Sequence, residues 1–132
     1  MTWHTLVQQV RDLGRYNSDQ EAECALNAVL GILGSQLTGD ERCDVAAVLP
    51  ERARALLVAP IPLTQPVTAP AFVEAVARNL NTTLEGARWD ASSVLTALAD
   101  LAGAQLTGRL LTYLPRGYAL LFGRADLTPA AA

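Results

Sequence analysis

The sequence predicts an all-α protein of two tandem helical repeats, each with about four helical segments, packed about a pseudo-two-fold axis into one bundle. Three observations support this prediction. Apolar residues recur at three- and four-residue steps, which is the period of an amphipathic helix. The pattern occurs twice, so that Leu30 is matched by Leu95 and the pair Leu49-Pro50 by Leu114-Pro115. Glycine and proline stand between the apolar stretches, where helices begin or end.

The chain divides into four predicted segments. They are a first repeat at residues 1–58, a proline-rich linker at 59–70, a second repeat at 71–123 and a C-terminal tail at 124–132. Two of the four helices in each repeat are short, which is too little structure for a secure core. We therefore expect the repeats to cover each other's apolar faces and form one globular unit. The end of the tail, residues 128–132, is too small and polar to pack well and is expected to fray.

Local signals define the first two helices. The first is predicted over residues 2–13 and ended by Gly14. Its inward side chains are predicted to be Trp3, Leu6, Val7, Val10 and Leu13. The long central helix of the first repeat is predicted from Ser18 to Leu37. It begins with a capping box, because Glu21 follows Ser18 by three residues.

Two short helices complete the first repeat. Thr38 and Glu41 form a second predicted capping box, which opens the third helix. The pair Leu49-Pro50 then predicts a bend, because proline favours the first position of a helix and disfavours helical geometry in the preceding residue. A fourth helix is predicted over residues 51–58.

The linker and the second repeat follow. The linker is expected to run extended as a semi-rigid connector, because it contains Pro60, Pro62, Pro66 and Pro70. Pro70 begins the next helix, and the counterpart of the central helix is predicted over residues 83–102. A third segment starts at Gly103 and closes at Leu114-Pro115.

Composition narrows the classes of function. Hydrophobic residues make up 51% of the 132 residues and charged residues 17%, so we expect surplus apolar surface to be buried against a partner. The formal charge is −3 and the basic residues, all Arg, form no cluster, which disfavours nucleic-acid binding. We find no apolar run of membrane-span length and no secretory leader. A cytoplasmic location is expected, and the Arg-only usage indicates a GC-rich bacterial genome.

The reactive side chains are too few and too scattered to predict catalysis or metal binding. His4 is the only histidine. Cys24 and Cys43 are expected to be free thiols acting as small hydrophobic residues, because helical geometry separates them too far for a disulfide. No zinc-binding set, phosphate-binding loop or nucleophile motif occurs. We therefore expect no enzyme activity, no cofactor and no metal.

A stripe of small residues lies on the second face of the central helix. It consists of Cys24, Ala28, Gly31 and Ser35. Small residues let another helix approach closely. We expect the stripe to meet the corresponding face of the second repeat, with Trp89 covering it.

The end of the second repeat has the composition of an interface, since aromatic residues and Arg are over-represented where proteins bind each other. With Trp89, the candidate interaction residues are Tyr113, Arg116, Tyr118 and Phe122. The alternative is that Tyr118, Leu121 and Phe122 cap the core. We favour the core cap, with a partner or dimer surface as the second interpretation.

The repeated motif is carried by two matching sets of residues. In the first repeat they are Glu21, Ala22, Ala25, Ala28, Val29, Leu30, Leu49 and Pro50; in the second they are Ala87, Ala91, Val94, Leu95, Leu114, Pro115, Tyr118 and Phe122. This pattern, from Thr5 to Phe122, resembles the bacterial and archaeal family catalogued as domain of unknown function 2267. The resemblance implies a two-repeat helical fold and no catalytic residues. Residues 103–106 depart from the pattern, which has acids at the start of the third segment.

Two functions are compatible with the sequence. The first is a non-catalytic helical module that binds itself or another protein through apolar surface left by the core. The second is a small-molecule binder or enzyme with a cleft between the repeats, for which Arg88, Asp90 and Tyr113 are the nearest polar candidates. A specific protein partner or a dimer would favour the first function. A sizeable pocket with convergent polar groups would favour the second.

Overall fold

The computed structural model describes residues 2–123, and its regular structure is entirely helical. The helices of this described part are α1 Trp3–Gly14, α2 Asp19–Gln36, α3 Gly39–Val48, α4 Glu51–Val58, α5 Ala69–Leu80, α6 Leu84–Tyr113 and α7 Tyr118–Leu121. The all-α prediction is confirmed for these residues. None of these helices is both long enough and apolar enough to cross a membrane. The predicted tail at 124–132 lies outside the described residues.

Hydroxyl side chains fix the starts of four helices. Each accepts a hydrogen bond from the amide three residues later, which satisfies a donor that has no partner within the helix. These caps are Thr2, Ser18, Thr68 and Thr83. In α2 the predicted capping box is modified. Ser18 accepts from the Glu21 amide as expected, but the Glu21 carboxylate accepts from the amide of Asn17.

The end of α1 differs from the prediction in two ways. The residue in the left-handed conformation is Arg15, with φ of 55°, and Gly14 is still helical. Gly14 is buried, and a Cβ atom there would overlap the ring of Tyr16. Leu13, which was expected to face inward, is 40% exposed. The buried stripe continues from Val10 to Gly14, one helical turn away, and so leaves Leu13 on the outside.

The predicted capping box of α3 is wrong. Thr38 precedes the helix, but its hydroxyl makes no hydrogen bond to the helix backbone. It pairs instead with the hydroxyl of Tyr113, at 3.0 Å, near the end of α6. Arg109 of α6 also forms an ion pair with Asp44 of α3 at 2.8 Å. The start of α3 is therefore held by a distant segment of the chain rather than by its own third residue.

Helices α3 and α4 end against arginine side chains. Arg54 donates hydrogen bonds to two carbonyl oxygens at the end of α3, and Arg42 donates to three at the end of α4 and the residues beyond it. Cationic donors stabilise this end of a helix, where carbonyl groups lack partners. Between the two helices lies the predicted bend, with Pro50 immediately before α4.

The closest approach between α2 and α4 is at Gly34. A Cβ atom on Gly34 would overlap the backbone carbonyl of Leu57, whereas one on Gly31 would meet nothing within 4 Å. Cys24, at the other end of the small-residue stripe, is exposed. The predicted use of that stripe for close helix packing is therefore wrong at Cys24 and Gly31, and a different face of α2 provides the contact.

Residues 60–68 have no helix or strand, and this part of the linker is anchored to α2. The amide of Leu63 donates to the carbonyl oxygen of Ser35, and the amide of Val67 donates to the side-chain oxygen of Gln36. Gln36 is one of the few buried polar residues. The next helix, α5, begins at Ala69, slightly earlier than the predicted boundary, because Thr68 supplies its cap.

Helix α6 combines two predicted segments. The helix runs through both segments but is kinked at Gly103, whose backbone angles are non-helical, with φ of 87° and ψ of 167°. The break falls at the residue where the third segment of the second repeat was expected to start. Left-handed φ favours glycine, because it has no Cβ atom to clash with the backbone. We treat residues 84–102 and 104–113 as the first and second parts of α6.

The first half of the chain, residues 1–58, and the second half, residues 71–123, share one hydrophobic core. A single cluster of buried residues draws side chains from every helix of the described range. Helix α1 packs on α6, α2 packs on both α5 and α6, and α3 packs on α6. Apolar surface from each half is thus removed from water by the other, which is the main favourable contribution to folding.

Candidate functional site

A groove lies between α5, the first part of α6 and α7. It has an outer lobe of about 530 Å³ and an inner lobe of about 300 Å³. The outer lobe is lined by Glu74, Leu84, Glu85 and Trp89, the inner lobe by Ala69, Gly117, Leu120 and Leu121, and both lobes by Pro70, Val73, Arg88 and Ser92. Because the lobes share four residues, we describe them as one groove, the α5–α6–α7 groove.

Large apolar side chains stand exposed along this groove. Leu84 is 57% exposed, Trp89 53% and Leu120 64%. Single exposed apolar residues are common on protein surfaces, but a group around one concavity marks a binding surface. The sequence analysis identified Trp89 but missed both leucines. Leu84 stands at the first position of α6, directly after its cap, where α2 has Asp19.

Trp89 does not cover the small-residue stripe of α2, so this prediction is wrong. Its indole nitrogen donates a hydrogen bond to the carbonyl oxygen of Gly14, at 2.8 Å, at the end of α1. Helices α2 and α6 do pack together, but Trp89 lies to the side of that contact. The hydrogen bond fixes one edge of the indole and leaves about half of its surface beside the groove.

Arg88 is the central polar residue of the groove. It is exposed, and it makes no ion pair or hydrogen bond with any residue between 2 and 123. Glu74 and Glu85 line the outer lobe, whereas Arg88 is the only charged residue between positions 2 and 123 that lines the inner lobe. The inner lobe therefore combines apolar walls with one cation that has no partner within the described chain.

The other two predicted polar candidates are engaged elsewhere. Asp90 accepts a hydrogen bond of 2.6 Å from the Tyr16 hydroxyl, and Tyr113 pairs with Thr38. Burial raises the pKa of Asp90, and the Tyr16 hydrogen bond opposes that rise. Burial and the neighbouring Asp90 carboxylate raise the pKa of the Tyr16 hydroxyl above its ordinary value. Asp90 and Tyr113 therefore serve two separate contacts, and neither lines the groove beside Arg88.

The segment after Pro115 is divided between core and surface. Tyr118 and Phe122 are fully buried, and the ring of Tyr118 packs edge-to-face on Phe72 with centroids 5.6 Å apart. The Tyr118 hydroxyl donates to the carbonyl oxygen of Val67, at 2.8 Å, and burial raises its pKa. Tyr118 and Phe122 were among the candidate interaction residues, and this assignment is corrected. Both side chains fill the core. Arg116 is exposed.

A second aromatic site lies at the start of α1, and the sequence analysis treated its tryptophan only as a core residue. The Trp3 indole nitrogen donates to the Glu23 carboxylate of α2, at 2.9 Å. The Arg52 guanidinium of α4 lies 4.7 Å from the centre of the Trp3 ring, a cation–π arrangement. The indole is thus held between three helices of the first half.

The remaining reactive side chains are dispersed over the surface. His4 is exposed, and Cys24 and Cys43 are exposed free thiols. Their predicted role as packed hydrophobic residues is therefore not what the structure shows. Among the described residues, no group of three or more His, Cys, Asp or Glu side chains is arranged to hold a metal ion.

Comparison with known proteins identifies one family. The sequence model of a family described as "Uncharacterized conserved protein (DUF2267)" matches residues 3–121. This match confirms the resemblance drawn from the repeated motif. A search of curated proteins gave no match to the chain.

Proposed function

We propose that this chain, which belongs to the DUF2267 family of uncharacterized conserved proteins, is a non-catalytic helical module that binds a protein partner in its α5–α6–α7 groove. The observation that carries this proposal is the set of exposed apolar side chains along one concave surface, namely Leu84, Trp89 and Leu120. Grooves of this kind accept the apolar face of a partner segment.

The chemistry of the groove supports binding rather than catalysis. The part of its lining that the structure describes contains no His or Cys, and the polar side chains there are Glu74, Glu85, Arg88 and Ser92. A serine nucleophile needs a neighbouring general base held in hydrogen-bond range, and Ser92 has no hydrogen bond to such a group among the described residues. Asp90, the carboxyl group with a raised pKa nearby, is already bonded to Tyr16.

We also propose that the two halves are copies of one helical unit related by a pseudo-two-fold axis. The helix ends support this idea. Thr2 and Thr68 cap α1 and α5, and the left-handed residues Arg15 and Asn81 end them, each pair 66 residues apart. The caps Ser18 and Thr83 are 65 residues apart, as are the C-caps Leu49 and Leu114.

A small-molecule site between the halves is the weaker alternative. Among the described residues, both lobes of the groove are lined by residues 69–121, which belong to α5, α6, α7 and the turn before α7. Of the polar candidates for a cleft between the halves, Asp90 and Tyr113 are bonded to other protein groups, and Arg88 lies in the α5–α6–α7 groove instead. The apolar and partly open character of the groove is better suited to a protein segment, whose side chains supply the missing apolar contacts.

Photo-crosslinking in the native host tests the proposed function. A benzophenone amino acid replaces Leu120, at the inner lobe, and in a matched control it replaces Glu51, an exposed residue of the first half. We expect a defined protein adduct from position 120 that is absent from position 51 and is lost when Leu84 is changed to Ser. Adducts that are the same at both positions, or no protein adduct at position 120, would contradict the proposal.

A further inference from the structure

We infer that the inner lobe receives an aromatic side chain of a partner protein, presented next to a carboxylate that pairs with Arg88. This inference rests on the proposed function and specifies the chemistry of the partner segment. It comes from a comparison of the inner lobe with the Trp3 site of the first half.

Three groups make up the Trp3 site. Each of them is replaced by a different residue type at the corresponding position of the second half. Counted from the helix caps and the Leu-Pro pairs, Trp3 corresponds to Ala69 and Glu23 corresponds to Arg88. On the same count Arg52, two residues after Pro50, corresponds to Gly117, two residues after Pro115. All of the corresponding residues line the inner lobe.

The inner lobe therefore lies at the place where the first half carries an indole, which there lines a more open concavity together with Arg52. The methyl side chain of Ala69 is too small to occupy the inner lobe. Gly117 has no side chain, so nothing stands there in place of Arg52. Gly117 adopts a φ of 99°, and a Cβ atom on it would lie 3.2 Å from the Ala69 Cβ, so these two small residues are neighbours. The volume of about 300 Å³ is at the low end of ligand pockets, which suits one aromatic group and its immediate neighbour.

The change of charge defines the second part of the ligand. In the first half, the Glu23 carboxylate accepts the hydrogen bond of the Trp3 indole. At the corresponding position, the Arg88 guanidinium offers only donors. It has no ion-pair partner in the described chain, and no acid lines the inner lobe with it. A carboxylate next to the aromatic ring complements this arrangement, because charge-assisted hydrogen bonds from Arg to carboxylate are the stronger class.

The outer lobe sets the direction of the partner segment. Glu74 and Glu85 lie there with Leu84 and Trp89. A second carboxylate of the partner would be repelled at that end of the groove. The acidic residue of the partner is therefore expected at the inner lobe, beside Arg88 and Ser92, with apolar or basic residues over the outer lobe.

Three small probes test this chemistry by NMR titration of the full chain. N-acetyl-tryptophan carries both the ring and the carboxylate, N-acetyl-tryptophanamide lacks the charge, and N-acetyl-alanine lacks the ring. We expect N-acetyl-tryptophan to shift the backbone resonances of Ala69, Arg88 and Leu121, with at least about fivefold tighter binding than either control probe. Arg88→Glu should remove the preference for the carboxylate, and Arg88→Lys should retain part of it.

The outcomes separate this inference from the proposed function. Equal binding of the acid and the amide, or shifts outside the inner lobe, would overturn the inference, while a protein adduct at position 120 would still support the protein-binding function. Binding of N-acetyl-tryptophan together with an adduct of only small-molecule mass would overturn the protein source of the ligand. An adduct with a second copy of this chain would overturn a separate partner protein as the source of the aromatic side chain.

Discussion

Gly34→Ala is expected to destabilise the protein by about 3 kcal/mol, because the new methyl group has no space. A Cβ atom on Gly34 would overlap the carbonyl of Leu57, which is backbone and cannot rotate away as a side chain can. Helix α4 would have to move from α2, and the carbonyl groups at its end would lose their hydrogen bonds from Arg42. Equilibrium unfolding in urea, with the free energy of unfolding extrapolated to water, measures the effect.

Gly31→Ala is the matched control, since it makes the same change one turn earlier in the same helix. A Cβ atom at Gly31 meets nothing within 4 Å. The substitution should stabilise the protein by about 0.5–1 kcal/mol, because alanine loses less backbone entropy in a helix than glycine. Similar free-energy changes for the two variants would show that α2 and α4 do not meet at Gly34.

Tyr118→Ala is expected to reduce the free energy of unfolding by about 3–5 kcal/mol, which is the range for removing a buried aromatic ring. The ring is fully buried and packs edge-to-face on Phe72. Its loss would leave a cavity among α5, α6 and α7 and would free the carbonyl group of Val67.

Tyr118→Phe separates the ring from its hydroxyl group. It keeps the packing on Phe72 and removes only the hydrogen bond to Val67, so a loss of about 1 kcal/mol is expected. Thermal unfolding followed by circular dichroism compares the two variants. A small effect of Tyr118→Ala, combined with lost partner binding, would place Tyr118 on the interaction surface and contradict its burial.

Local sequence signals predicted most of the helices. The cap at Ser18 and the bend at Pro50 depend on residues within one helical turn, so they can be read directly from the sequence. The same holds for Gly103, whose left-handed φ separates the first part of α6 from the second. These features are governed by the backbone and by neighbouring residues in the chain.

Long-range contacts explain the predictions that were wrong. Thr38 has the sequence of a cap, yet its hydroxyl pairs with Tyr113, 75 residues away in the chain. Trp89 bonds to the carbonyl oxygen of Gly14, also 75 residues away. No local pattern contains either partner, because each depends on how the two halves pack. The burial of Tyr118, by contrast, followed from the core-cap interpretation that the sequence favoured.

The groove could have been found in part from the sequence. Placing the two halves in register shows that Trp3 is replaced by Ala69 and that the acid Glu23 is replaced by Arg88. Relative to the first half, the second half therefore lacks an aromatic side chain at this place, and the charge beside it has the opposite sign. The exposure of Leu84 and Leu120 could not be predicted, because it depends on where α5 and α7 end on the surface.

The central claim is that the inner lobe accepts an aromatic side chain at the position where the first half carries its own tryptophan. The most direct measurement is a crystal structure of the Ala69→Trp variant, together with its melting temperature. The account predicts that the new indole lies in the inner lobe between α5, α6 and α7, beside Arg88, with no loss of thermal stability. An indole that points into solvent, or a displaced start of α5 with a lower melting temperature, would contradict it.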